Sequence, residues 1–258
     1  MTRPRSIAVG LVIVAIVIIG GYIAYDQVLR GDSVGALALP SASPTARPSS
    51  GAGPSSEAGT SATPATLAVP AATFDGVVAG TWNVASGSQA GYRVREQLAN
   101  LPAESDAIGR TSGVTGSIAL ETSGASTSLT SGTLTVDTTS IRSDKQMRDN
   151  RMRNEGLQTD TFKTATFKLT APVEIPAAAL AGTASDITLT GDLTVHGVTK
   201  SVQIPAKAQL VDGTVQVAGS ITFPLADYSI VAPNVGGFIV SVADQGTLEF
   251  VVVLEKAG

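Results

Sequence analysis

An all-β domain with one short inserted helix, carried behind a membrane-spanning helix and a disordered linker, is the architecture these 258 residues predict. Three observations predict it. An uncharged apolar run lies near the N-terminus, a stretch with almost no large apolar residue follows, and hydrophobic side chains then recur at every second position.

The anchor comes first, within residues 1–30. No residue from Ser6 to Tyr25 is charged, and Ile, Val and Ala dominate. Twenty such residues cross about 30 Å of hydrocarbon as a helix. Arg3 and Arg5 precede the run, while Asp26 and Arg30 follow it, which places the N-terminus in the cytoplasm and the remainder outside. A cleaved signal peptide is the competing reading. Ala36-Leu37-Ala38 has the small-x-small form, but it sits about a dozen residues beyond the run, far for a cleavage region. The predicted location is therefore the cell membrane, single-pass, with the folded domain extracytoplasmic.

Residues 31–74 turn to Ser, Ala, Pro, Gly and Thr, with few charges such as Arg47 and Glu57. This composition cannot bury enough surface to offset its backbone entropy, so it reads as a disordered, partly polyproline-like tether.

Residues 75–258 are long enough for one domain with a sizeable core. Ile187, Leu189, Leu193 and Val195 share one parity, opposite Asp186, Thr188, Asp192 and Thr194. The same period recurs through Val202-Ile204, Val215-Val217, Ile221-Phe223 and Leu248-Phe250-Val252-Leu254. Period two broken by Gly, Asp and Ser turns means half-buried antiparallel strands, with His196-Gly197 and Asp212-Gly213 marking two turns. Sandwich and closed barrel both satisfy this pattern. Ser140 to Thr161 interrupts it. Asp144/Arg148 and Asp149/Arg153 are spaced i, i+4, Ser143 or Asp144 can cap, and Gly156 can terminate, as in a short helix. The run after Val173, IPAAALAG, reads as a loop or a single helical turn.

Composition excludes several functions. With no Cys there is no disulfide, thiolate metal site or cysteine nucleophile, and the lone histidine, His196, cannot build a His-rich metal site. The net charge of −4 argues against a nucleic-acid partner. No nucleophile–base constellation or cofactor fingerprint accompanies His196, which reads as a turn residue bonded to nearby backbone. The chain is thus expected not to be an enzyme, and to carry no metal and no cofactor.

Several segments carry a family resemblance. They are the strand–helix–strand stretch from Thr133 to Thr170, the L-T-V-H-G-V-T-K run from Leu193 to Lys200, and the R-D-N-R-M-R core from Arg148 to Arg153. Together they resemble the YceI-like family of exported, polyisoprenoid-binding proteins, in the form of its membrane-anchored actinobacterial members, over nearly all of Thr81 to Leu254. The resemblance implies an eight-stranded antiparallel barrel of lipocalin-like shape, whose apolar tunnel holds an isoprenoid-type lipid such as a polyprenyl phosphate or a quinone. Two places depart from the family, Arg151 and the strand end Gly91 to Glu96, where relatives often carry histidine.

Parity assigns Leu189, Leu193, Val195, Val202, Ile204, Val217, Ile221 and Phe250 to the inside, and Phe167 and Trp82 join them as large apolar side chains on strands. These ten are the expected tunnel residues. Arg148, Arg151 and Arg153 are the expected head-group residues, since a guanidinium at a barrel mouth can pair with a lipid phosphate. The plainer alternative is an exposed helix laced by i, i+4 pairs, with Met147, Met152 and Leu157 packing it down. The scarcity of aromatics, 4% of the chain, leaves room inside a barrel. A filled core in a structural or protein-interaction module is the rival expectation.

Overall fold

Alternation of inward apolar and outward polar residues organises twelve strands in the computed structural model, which describes residues 34–40, 77–98, 104–232 and 239–258. In chain order these are β1 (Gly80–Val84), β2 (Gln89–Leu98), β3 (Ser105–Thr111), β4 (Val114–Ser123), β5 (Ser126–Asp137) and β6 (Arg142–Ser143). Helix α1 (Gln146–Arg151) follows, then β7 (Thr164–Leu169), β8 (Val173–Ile175) and the single turn α2 (Ala177–Leu180). The chain ends with β9 (Ser185–Val195), β10 (Val198–Val211), β11 (Thr214–Pro224) and β12 (Ile239–Lys256).

Pairing runs β1–β4–β5–β7–β9–β10–β11–β12 and returns to β1, antiparallel throughout, so eight staves close into a barrel. Several staves are broken strands. β2 continues β1 along the 18-residue β12 and pairs with β3, while β8 continues β7 along β5. Closure rests on Trp82 opposite Lys256 and Val84 opposite Leu254. That contact decides for the barrel over the sandwich, because a closed ring leaves no edge among its staves. His196-Gly197 and Asp212-Gly213 both take φ near 50° and 75°, the backbone of a two-residue hairpin turn whose twist matches the flanking strands.

The inserted helix forms where the charged segment predicts it, with a different cap. Its N-cap is Lys145, without a side-chain bond; instead Asp149 reaches back to accept from the Ser143 N–H (2.8 Å) and hydroxyl (2.7 Å). Asp149 is therefore committed to Ser143 and not paired with Arg153. The helix passes into a π-type turn, Met152–Gly156, that ends at Gly156 as expected.

All eight parity-assigned residues face inward. Ile204, Leu189 and Val252 belong to one apolar cluster centred on Trp82, while Leu193, Val195 and Phe223 belong to a second near α1. Burying each such side chain contributes about 1.5–3 kcal/mol. Trp82 is fully buried, its indole N–H donating to the Val78 carbonyl at 2.9 Å.

The predicted anchor lies outside the described residues, as does most of the linker. Its described part, Val34–Pro40, has no regular secondary structure but lies against the outer barrel wall. There the Glu249 carboxylate, 2% exposed, accepts from the Leu37 N–H (3.3 Å) and pairs with Arg110 (2.8 Å). Arg93 donates to the Val34 carbonyl (2.9 Å) and Arg110 to that of Gly35. Gly91 lies between Glu249 and Arg110 in the sheet, and its missing side chain lets the two meet.

Candidate functional site

The inward faces do not fill the barrel evenly. At the α1 end they enclose a cavity of about 570 Å³, within the range of small-molecule pockets. On three staves the lining stops part-way along the strand. Val195 and Leu193 line it but Leu189 does not; Val136 and Leu134 do but Leu129 does not; Phe250 and Val252 do but Leu254 does not. Below that level Trp82, Leu120, Leu189, Leu210 and Leu254 close the core. The interior is a blind pocket over a packed floor.

Glycines keep the upper half open. A Cβ on Gly109 would meet the Tyr92 ring at 2.3 Å, one on Gly191 the Phe167 ring at 2.5 Å, and one on Gly219 the Phe250 ring at 2.9 Å. Each aromatic ring thus occupies space that a neighbouring stave leaves vacant, lying along the wall and not across the lumen. With any larger residue at those glycines, the rings would have to swing inward.

Around the outer end the lining turns polar. Glu96 points inward from β2, 4% exposed, and the Arg148 guanidinium of α1 reaches it at 2.5 Å while also pairing with Asp144. Burial lowers the Arg148 pKa, but the hydrogen bond and charge of Glu96, with Asp144, outweigh it and hold the group above its usual value. Beside this pair the Tyr92 hydroxyl is buried and has no hydrogen-bond partner among the described residues, and burial, partly opposed by Arg148, raises its pKa well above the ordinary phenol. Lys145 and Arg151 also line this end, and Met147, 63% exposed, lies on the rim.

The expected tunnel residues therefore divide. Leu193, Val195, Ile204, Ile221 and Phe250 line the cavity. Leu189, Val202, Val217, Phe167 and Trp82 do not: Leu189, Val217 and Trp82 pack in the closed core, Phe167 lies against Gly191, and Val202 packs between the two clusters. Of the arginines, Arg148 and Arg151 reach the cavity, whereas Arg153 faces away from it, beside Asp149 and Thr159. Neither expectation for the helix holds in full: Asp144–Arg148 forms, Asp149–Arg153 does not, and Met147 is exposed, not packed down. Parity did not single out Glu96; its sign is a carboxylate sharing the face of Tyr92 and Val94, where an apolar residue belongs.

His196 is remote from this chemistry. Its Nδ1–H donates to the Tyr228 carbonyl (3.1 Å) and its ring leans on Phe162, centroids 4.2 Å apart, as a turn residue should. Among the described residues no three His, Asp or Glu side chains gather as a metal would require.

The YceI-like domain model matches residues 82–254, nearly the whole barrel. The chain belongs to that family. Several solved structures are similar to this chain, and the first of those below shares its fold. A polyisoprenoid binding domain from Saccharophagus degradans, implicated in plant cell wall breakdown, is 20% identical with a TM-score of 0.53, over 69% of this chain and 99% of that one. BcnA of Burkholderia cenocepacia is 21% identical with a TM-score of 0.49, over 64% and 95%. A Campylobacter jejuni YCEI protein is 15% identical with a TM-score of 0.43, over 58% and 85%. No curated protein matches the chain. Within this YceI-like barrel, Arg151 and Glu96 both line the outer end of the cavity.

Proposed function

We propose that this YceI-like domain binds an isoprenoid-type lipid without chemical change, at the outer face of the membrane, and so shields, carries or presents it. The observation that carries the reading is the cavity itself, a mainly apolar space with Glu96, Lys145, Arg148 and Arg151 gathered at its α1 end. Such a space separates the two halves of an amphiphile. Each buried CH₂ contributes about 0.8 kcal/mol, while Arg148, Arg151 and the Tyr92 hydroxyl offer donors to a phosphate or quinone oxygen. The polyisoprenoid named for the Saccharophagus degradans domain supports the same chemical class. The apolar run of residues 6–25 would hold the chain in the membrane. From Tyr25 to Val34 is nine residues, so the wall bearing Val34–Pro40 would stand within about 30 Å of it.

Extraction of the full chain from its native host with organic solvent, followed by mass spectrometry, tests this. One polyprenyl phosphate, quinone or related chain per protein is expected. Recovery of no stoichiometric lipid would refute the reading.

A further inference from the structure

We propose that the outer end of the cavity faces the bilayer, with the rim at α1 resting on lipid, so that the ligand enters from the membrane beneath it. The proposal rests on the anchoring and lipid-binding readings above and adds an orientation to them.

The direction of the docked segment Val34–Pro40 carries the argument. The Val34 carbonyl accepts from Arg93, whose backbone lies opposite Thr247 and Ile108. The Gly35 carbonyl and the Leu37 N–H instead meet Arg110 and Glu249, both in register with Gly91. Gly91 is farther from the cavity's outer end than Arg93, since β2 runs toward Glu96. The segment therefore runs away from that end. Its N-terminal side, the side of the apolar run at residues 6–25, points toward the rim.

Distances favour the same orientation. Along β12, Thr247 stands two positions from Gln245, which pairs with Pro224 at the outer end, and nine from Lys256 at the other. At about 3.3 Å per residue and a strand tilt of about 40°, these are roughly 5 Å and 23 Å along the barrel axis. A tether of at most about 30 Å spans the first with slack. The second brings it close to full extension, after a reversal at Val34.

Exposed apolar side chains gather at this end as well. Val231, 73% exposed, stands between the lining residues Ile230 and Ala232, and Met147 is the exposed residue of the α1 rim. Large apolar side chains on a rim gain burial only where an apolar surface covers them. The bilayer that holds the anchor supplies that surface.

Because the chain has no cysteine, Met147→Cys, Val231→Cys and Val77→Cys each give the full chain a single labelling site. Val77, 72% exposed, lies beside Lys256 at the opposite end and is the matched control. Each variant, carrying a nitrobenzoxadiazole label, is reconstituted into phosphatidylcholine–phosphatidylglycerol vesicles containing a headgroup spin-labelled phosphatidylcholine. The spin label should quench both rim positions at least threefold more than the control, and either rim position alone decides. Equal quenching at both ends, or stronger quenching at the control, overturns the orientation. Protein that fails to float with the vesicles overturns it too, by removing the anchor. Solvent extraction of the same samples, supplied with geranylgeraniol, separates the two readings. Stoichiometric geranylgeraniol with equal quenching leaves lipid binding standing without the orientation, whereas none bound with unequal quenching refutes lipid binding alone.

Discussion

Replacing Arg148 by Met probes the charge pair that the barrel holds at the cavity's outer end. Glu96 is 4% exposed and faces an apolar wall, and Arg148 meets it at 2.5 Å. Met keeps much of the apolar stem of Arg148 but removes the guanidinium, leaving a carboxylate buried without its counter-charge. Breaking a buried pair from one side costs about 3–5 kcal/mol, and a domain of this size loses about 2–4 °C in Tm per kcal/mol. The midpoint should therefore fall by roughly 6–20 °C. Trp82, the single tryptophan and fully buried, reports unfolding in urea by its fluorescence. The decisive comparison is the double variant Arg148→Met/Glu96→Leu, which removes both charges and should regain most of the loss. A single-variant cost below about 1 kcal/mol, or a double variant no better than the single, would refute the claim that Glu96 depends on Arg148. In that case the outer cavity would solvate the carboxylate unaided.

Tyr92→Phe deletes a buried hydroxyl that has no partner among the described residues, so stability should stay level or rise by up to about 1 kcal/mol in urea titration. A loss of more than that would mean the hydroxyl bonds to a group beyond those seen. Glu249→Ala removes the acceptor of the Leu37 N–H and the charge between Arg93 and Arg110, so hydrogen exchange at Gly35–Leu39 should quicken at least tenfold while the strand amides of β9 and β10 keep their protection. Asp137 is held below its usual 3.8, chiefly by the Thr139 hydroxyl it accepts from, against a smaller contribution from burial in the opposite direction. A depressed carboxylate stabilises the fold fully above its unfolded pKa and loses that contribution as pH falls through the folded one. Asp137→Ala should thus cost about 1 kcal/mol at neutral pH, through loss of the cap on Thr139, and the gap from the parent should close in acid below 3.8.

Much of the fold was legible because its signals are local. Parity put Leu189, Leu193, Val195, Ile204 and Phe250 inside, since side chains on a pleated strand can face only two ways. Asp212-Gly213 marked its turn because few dipeptides tolerate two positive φ angles. The inserted helix showed in Asp144 and Arg148, whose spacing places them on one face. The site was less legible, because it depends on depth along the barrel axis. Leu189 and Leu193 share a parity and a residue type, yet one packs in the closed core and the other lines the cavity.

The sequence by itself determined that residues 75–258 make alternating antiparallel strands, that a charged helix interrupts them, and that cysteine chemistry is absent. Tertiary structure alone decided that the sheet closes through Trp82 and Lys256, and that Tyr92, Phe167 and Phe250 fold back over Gly109, Gly191 and Gly219. It alone brought Glu96 and Arg148, 52 positions apart, into contact at 2.5 Å. The reason is the range of the forces involved: periodicity and turn preference act within a few residues, whereas closure, floor and charge pair join residues that only the completed barrel makes neighbours.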